Sequence, residues 1–171
     1  MNVTFTRIPT PIGELVLAAS DSGLTGVHFT TSRHGPPPVD DADWVEDDGR
    51  GPASGLLARA RQQLEEYFAG TRTTFDLPLN AAGTAFQRRV WDALRAIPYG
   101  VTLSYSALAR RLGDLGATRA VGAANARNPI PIIVPCHRVV GANGTLTGFG
   151  GGLDRKRWLL EHEGALMMLG G

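Results

Sequence analysis

Ten residues, Pro131-Ile132-Ile133-Val134-Pro135-Cys136-His137-Arg138-Val139-Val140, constrain this chain more than any others. An apolar, largely β-branched run favours extended, buried backbone. Pro135 fixes φ and removes a donor, so a buried strand is expected to stop there. The residue presented at that stop is Cys136, the one cysteine in 171 residues. A lone cysteine is often a small buried hydrophobe. A thiol beside an imidazole at the end of a strand is also where a nucleophile can be built. Both readings stand on these ten residues alone.

A single cysteine excludes an internal disulfide and a multi-thiolate zinc site, so no metal is expected. A free thiol suits a reducing interior, and the chain is read as cytoplasmic. No stretch approaches the roughly 20 apolar residues of a membrane span, and the N-terminus lacks the basic and apolar regions of a secretory signal. Net charge is only +1, but it is unevenly spread. Residues 1–82 hold six arginines against eleven acids, a net −5, whereas residues 83–171 hold eleven basic residues against five acids, a net +6. The second half suits a polyanionic partner and the first does not, although an ordinary solvated surface would have the same sums. Length and this asymmetry fit two domains, 1–80 supporting and 84–171 functional.

In chain order, Val3–Ile8 alternates as a half-buried strand, Glu14–Ala19 and Leu24–Phe29 read as two more, and tight turns make the three an antiparallel meander. Residues 33–54, rich in Pro, Gly and acids, read as a solvated loop. Ser54 is placed to N-cap a helix with Leu56, Leu57, Ala60, Leu64 and Phe68 on one face, ended by Gly70. Thr74–Leu79 reads as an edge strand. Thr84 and Gln87 form a capping box for a helix carrying Phe86, Val90, Trp91, Leu94 and Ile97, stopped at Pro98. Ser104 is placed to cap a second helix ended by Gly113, and Thr118 a third that stops at Asn128-Pro129. Two short helices around a Gly-containing turn read as helix-turn-helix, or as an ordinary helical hairpin. The third helix is almost without bulk (Ala120, Gly122, Ala123, Ala124, Ala126), so it can approach another surface closely; a neighbouring helix or a DNA groove would both serve. Asn143-Gly144 signals a hairpin or wing between Val139 and Thr147. Asp154 is placed to cap a last helix ended by Gly164, before a tail rich in Leu and Met.

Pro135-Cys136-His137-Arg138-Val139 resembles the active-site signature of the O6-alkylguanine-DNA alkyltransferases. The likeness runs in register through Ser104-Tyr105, Arg119-Ala120-Val121-Gly122, Asn128-Pro129, Gly151-Gly152-Leu153, Trp158-Leu159-Leu160 and His162-Glu163-Gly164. It is strong over the C-terminal half and general over the first. It implies an α+β protein: a ribonuclease H-like N-terminal domain, a small antiparallel sheet with a helix, then a winged helix-turn-helix-like alkyltransferase domain. The implied activity is direct reversal of DNA damage, in which an alkyl group passes once and irreversibly from O6-alkylguanine to Cys136 without any cofactor.

The resemblance further implies that His137, through a bridging water, activates Cys136, that Glu163 orients the imidazole, and that Asn128 buttresses the cysteine turn. Because the target atom lies inside duplex DNA, the nucleotide must be flipped out. By resemblance Arg119 fills the gap it leaves, and Tyr105 turns the nucleotide and donates to the departing guanine. The small residues Ala120, Gly122 and Ala123 would then face the minor groove. Pro131, Val139, Phe149 and Gly150 would line the substrate pocket, and the carbonyls of Cys136 and Val139 would read the guanine amine. Arg138 is expected to make structural hydrogen bonds to backbone. Relatives carry Tyr-Ser or Tyr-Ala where this chain has Phe149-Gly150, which implies a roomier lip and puts alkyl preference in doubt. The expected partner is double-stranded DNA, bound by a monomer, with cooperative assembly left open. A non-catalytic damage sensor or helix-turn-helix regulator, and a Cys-His hydrolase, are the rival readings.

Overall fold

In the computed structural model, which describes residues 2–32 and 35–165, the chain divides into two compact units, Met1–Ala82 and Gly83–Gly171. In the first, the alternating segments pair as an antiparallel meander of β1 (Val3–Ile8), β2 (Leu15–Ser20) and β3 (Gly23–Phe29). β2 lies between the other two and is buried along nearly its whole length, which is why Leu15-Val16-Leu17-Ala18-Ala19 is apolar on both faces. The helix α1 (Ser54–Phe68) packs on the sheet through Leu57, Ala60 and Leu64.

Three readings of this half need correction. Within the expected loop, β4 (Trp44–Glu46) adds to the sheet in parallel with β1, through Val3 N–H to Asp43 O at 2.7 Å and Asp47 N–H to Phe5 O at 2.8 Å. Trp44 reaches the Phe5 and His28 rings at 5.9 and 5.7 Å. A three-residue strand flanked by acids has no alternation to read. Thr74–Leu79 is not a strand: only Leu79 bridges, to Leu24, because Pro78 cannot donate to a ladder. Gln63 pins this segment instead, exchanging two hydrogen bonds with the backbone of Asp76. Ser54 is the first helical residue rather than the N-cap, which is Ala53; its hydroxyl bonds the Asp47 carboxylate. The C-terminus follows expectation. Gly70 takes φ 81°, and the N–H groups of Gly70 and Thr71 bond Tyr67 O and Glu66 O in a Schellman motif.

The second unit opens with α2 (Ala85–Arg95), whose capping box between Thr84 and Gln87 is complete. The short strand β5 (Leu103–Ser104) leads into α3 (Tyr105–Arg111), capped by Ser104 at Ala107 N–H. Gly113 (φ 85°) ends α3 in a second Schellman motif, with Asp114 N–H on Ala109 O. A tight turn, Leu115–Ala117, leads into α4 (Thr118–Ala126), and α3 packs against α4 as in a helix-turn-helix. Thr118 does not cap α4, since its hydroxyl donates backward to Leu115 O at 2.8 Å. Trp91 of α2 staples α4 through its indole N–H to Ala124 O at 2.9 Å.

After the cysteine turn, β6 (Val139–Val140) pairs in parallel with β5 rather than with a following strand. Asn143 and Gly144 both take positive φ, as the turn signal requires, yet they close a short 3₁₀ turn without hairpin strands. The helix α5 (Leu153–His162) starts after Gly152 (φ 93°), and Asp154 sits in its first turn without capping it. The Leu- and Met-containing tail beyond residue 165 lies outside the described residues.

Candidate functional site

The apolar run before the cysteine is a buried turn, not the expected strand. Val134 N–H bonds Ile130 O at 2.9 Å, and Ile132 occupies φ 74°. A left-handed conformation costs a β-branched residue about 1–2 kcal/mol or more. Complete burial of Ile132 offsets it, at roughly 1.5–3 kcal/mol for such a side chain. Asn128 holds the turn from the end of α4: its Oδ1 accepts from Ile130 N–H at 3.0 Å and its Nδ2 donates to Val134 O at 2.8 Å. Cys136 N–H bonds the same Val134 carbonyl at 2.8 Å, and the chain then winds through one 3₁₀ turn, Cys136–Arg138.

Burial pushes the Cys136 thiol up to about 11; the Asn128 amide and the Lys156 charge pull the other way but do not prevail. A thiol in that state is protonated at neutral pH and needs a base to become a nucleophile. His137 is completely buried, and burial lowers its pKa, so the imidazole is neutral and able to accept a proton. Its Nε2 lies 2.8 Å from Glu163 Oε2, while its buried Nδ1 has no hydrogen-bond partner among the described residues. One ring nitrogen is therefore fixed by a carboxylate and the other left for exchange, the arrangement an oriented general base requires.

Glu163 is no surface residue. Burial would raise its carboxyl, but His137 and then Arg138 outweigh that and hold it well below the usual range. Arg138 grips the carboxylate with Nε at 2.8 Å and Nη2 at 3.1 Å, and gives Nη1 to Ile97 O at 2.6 Å. The backbone bond was expected; the forked ion pair was not.

Tyr105 is half-buried at the start of α3, its hydroxyl donating to Thr147 O at 3.2 Å, and burial raises its pKa. Arg119, Ala120 and Ala123 lie exposed on α4, with Gly122 half-buried between them. A Cβ on Gly122 would meet the Tyr105 ring at an ordinary 3.8 Å, so packing within the chain does not force glycine there. Pro131, Val139 and Phe149 are buried, with Gly150 partly exposed. An open cleft of about 450 Å³ follows, lined by Gly151, Gly152, Leu153, Asp154 and Arg155. Among the described residues no group of three or more His, Cys, Asp or Glu is placed to hold a metal ion, and no helix is long and apolar enough to cross a membrane.

Two residues escaped the sequence reading. Lys156 looks like one of a basic run, Arg155-Lys156-Arg157, yet it is fully buried. Its Nζ donates to Val139 O and Thr147 O, both at 2.6 Å, and burial lowers its pKa to about 8. The signal was its spacing with Leu159, Leu160 and Glu163, the i, i+3, i+4, i+7 face that turns inward. Asn125, the other, is 1% exposed, and its Nδ2 donates to Cys136 O at 3.4 Å.

Residues 3–81 match the family described as 6-O-methylguanine DNA methyltransferase, ribonuclease-like domain, and residues 85–165 match its DNA binding domain. The chain belongs to the 6-O-methylguanine DNA methyltransferase family. It is 51% identical over 153 residues to the methylated-DNA–protein-cysteine methyltransferase of Mycobacterium leprae, spanning 90% of this chain and 87% of that one. A constitutive methyltransferase of Bacillus subtilis is 44% identical, over 93% of this chain and 94% of its own. Among solved structures, Mycobacterium tuberculosis OGT in complex with DNA superposes with a TM-score of 0.83 at 46% identity, covering 98% of this chain and 99% of that one. Membership agrees with the mixed α+β architecture, a small sheet with its helix followed by a helical unit.

Proposed function

We propose that this protein repairs DNA by moving a methyl or larger alkyl group from O6-alkylguanine to Cys136, once per molecule. The observation that carries the reading is the buried array of Cys136, His137 and Glu163, joined by the 2.8 Å imidazole–carboxylate bond, in the unit that also contains the helix-turn-helix. The thiol proton passes to His137 through a bridging water. The sulfur lone pair then attacks the alkyl carbon in line, the C–S bond forms as the C–O6 bond breaks, and the electron pair leaves on the guanine, which takes up a proton. Tyr105 is the donor for that departing base. The thioether is stable, so the protein is consumed, and the leaving group needs no cofactor because alkylation has already activated it.

In this reading the Met1–Ala82 unit supports and the Gly83–Gly171 unit acts. DNA is the partner; its minor groove receives the small-residue face of α4, where sequence readout is poor and little is needed by a protein that must find damage anywhere. Arg119 fills the stack vacated by the flipped nucleotide. Pro131, Val139, Phe149 and Gly150 line the pocket, and the absence of side-chain bulk at Gly150 leaves room for alkyl groups larger than methyl. The protein acts as a cytoplasmic monomer.

Intact-protein mass after incubation with a duplex carrying one O6-methylguanine, followed by peptide mapping, tests the reading. One methyl on the Cys136 peptide, saturating at one per molecule and absent in Cys136→Ala, is expected. Tight binding to the lesion with no mass change would mean a sensor. Arg119→Ala should weaken both lesion binding and nucleotide flipping.

A further inference from the structure

We infer that Asn125 is a positioning residue for alkyl transfer, a second clamp on the cysteine turn that acts with Asn128; this rests on the repair reading above. Asn125 lies in the last turn of α4, and Asn128 follows two residues past the end of that helix. Their side-chain amides reach the backbone on either side of the thiol. Asn128 Nδ2 donates to Val134 O, whose carbonyl also accepts Cys136 N–H, and Asn125 Nδ2 donates to the carbonyl of Cys136 itself. The peptide units that set the direction of the Cys136 Cα–Cβ bond are thus held at both ends, from the last turn of α4 and from the segment that leaves it. The end of α4 is held in place by Trp91 on Ala124 O.

The second observation concerns what Asn125 lacks. It is 1% exposed, and its Oδ1 has no hydrogen-bond partner among the described residues. A buried amide with half its capacity unmet is a poor choice for packing, because leucine, of the same branched outline, would carry no unmet polar atom. The donor half is what distinguishes asparagine from leucine here, and that half points at the reacting residue. Attack at an sp³ carbon demands sulfur, carbon and oxygen in line, so a small rotation of the cysteine peptide is felt in the rate rather than in binding.

Single-turnover methyl transfer is the test, with protein in excess over duplex carrying O6-methylguanine. The concentration dependence separates lesion affinity from the limiting rate constant. For Asn125→Leu, a limiting rate roughly tenfold below wild type is expected, with half-saturation changed less than about twofold and thermal stability equal or higher. Should the leucine variant fail to fold, Asn125→Ala serves the same purpose. Alkylation of Cys136 by iodoacetamide, which imposes no docked geometry, should stay within about twofold of wild type. A limiting rate at the wild-type value would overturn the inference, as would rate, affinity and stability falling together, the pattern of a residue that only supports the fold. If wild-type protein itself transferred no methyl group, the repair reading would fail instead, and the two failures are told apart by that control.

Discussion

Replacing Glu163 by glutamine is the most informative perturbation of this site. The carboxylate accepts from His137 Nε2 and from two nitrogens of Arg138, all within 3.1 Å and out of solvent. Glutamine keeps the shape but presents an NH₂ group to at least one of those donors, and it leaves the 6%-exposed Arg138 without a counter-charge. Removing one partner of a buried ion pair costs about 3–5 kcal/mol, a large part of the 5–15 kcal/mol that holds a typical domain together. Urea denaturation at pH 7, followed by fluorescence of Trp91 and Trp158, would measure the loss. The double variant Glu163→Gln/Arg138→Met removes both charges. It should recover all but about 1–3 kcal/mol, the remainder coming from Ile97 O, which loses its 2.6 Å donor. If the two single losses simply added to within about 0.5 kcal/mol, the network described here would not exist in solution. The pH dependence supplies a second check. Because Glu163 is held below its unfolded value of 4.5, its stabilisation is complete above that pH and drains away as pH falls further. The Glu163→Gln deficit should therefore shrink between pH 7 and pH 3.

Burial holds the Cys136 thiol up at about 11, so its iodoacetamide reactivity should rise about tenfold per pH unit from pH 7 to 9; a flat profile would mean a thiolate already formed. Lys156→Met removes a cation that favours the thiolate and should move that profile to higher pH, whereas an unmoved profile would show that the ammonium is not felt at sulfur. The same variant takes the ammonium donor from Val139 O and leaves Thr147 O with the Tyr105 hydroxyl alone, and should cost roughly 1–3 kcal/mol. Thr84→Ala breaks the capping box of α2 and should cost about 1 kcal/mol in denaturant while leaving transfer to Cys136 unchanged.

Much of the frame was legible in the chain. The meander, α1, α2 and both helices of the helix-turn-helix declare themselves by alternation, apolar stripes, caps and terminal glycines, because those are local properties written within a few residues. Where several residues compete for one local role, the reading slipped: Ser54, Thr118 and Asp154 all sit one or two places inside the helices they were expected to cap. The Cys136-His137-Arg138 core was legible through its pattern, as were Asn128 and Glu163 through their place in a longer resemblance.

The chemistry of these groups depends on neighbours far away in sequence, and that the chain alone could not show. A β-branched run reads as a strand, but Ile132 turns left-handed because a core pocket and the Asn128 bracket hold it there. Lys156 belongs on paper to a solvated basic run. It is buried because α5 turns that face toward Val139 and Thr147, whose carbonyls replace its water. Glu163 lies 25 residues from Arg138 and Asn125 lies 11 from Cys136, so neither partnership leaves a local mark. The sequence by itself determined the meander and most of the helices to within a residue or two, since backbone sterics and periodicity act at short range, and its one cysteine left a single candidate nucleophile. Only the tertiary structure decided which polar groups lose their water, and desolvation with its replacement partners shifts the thiol up and the imidazole and the carboxylate down.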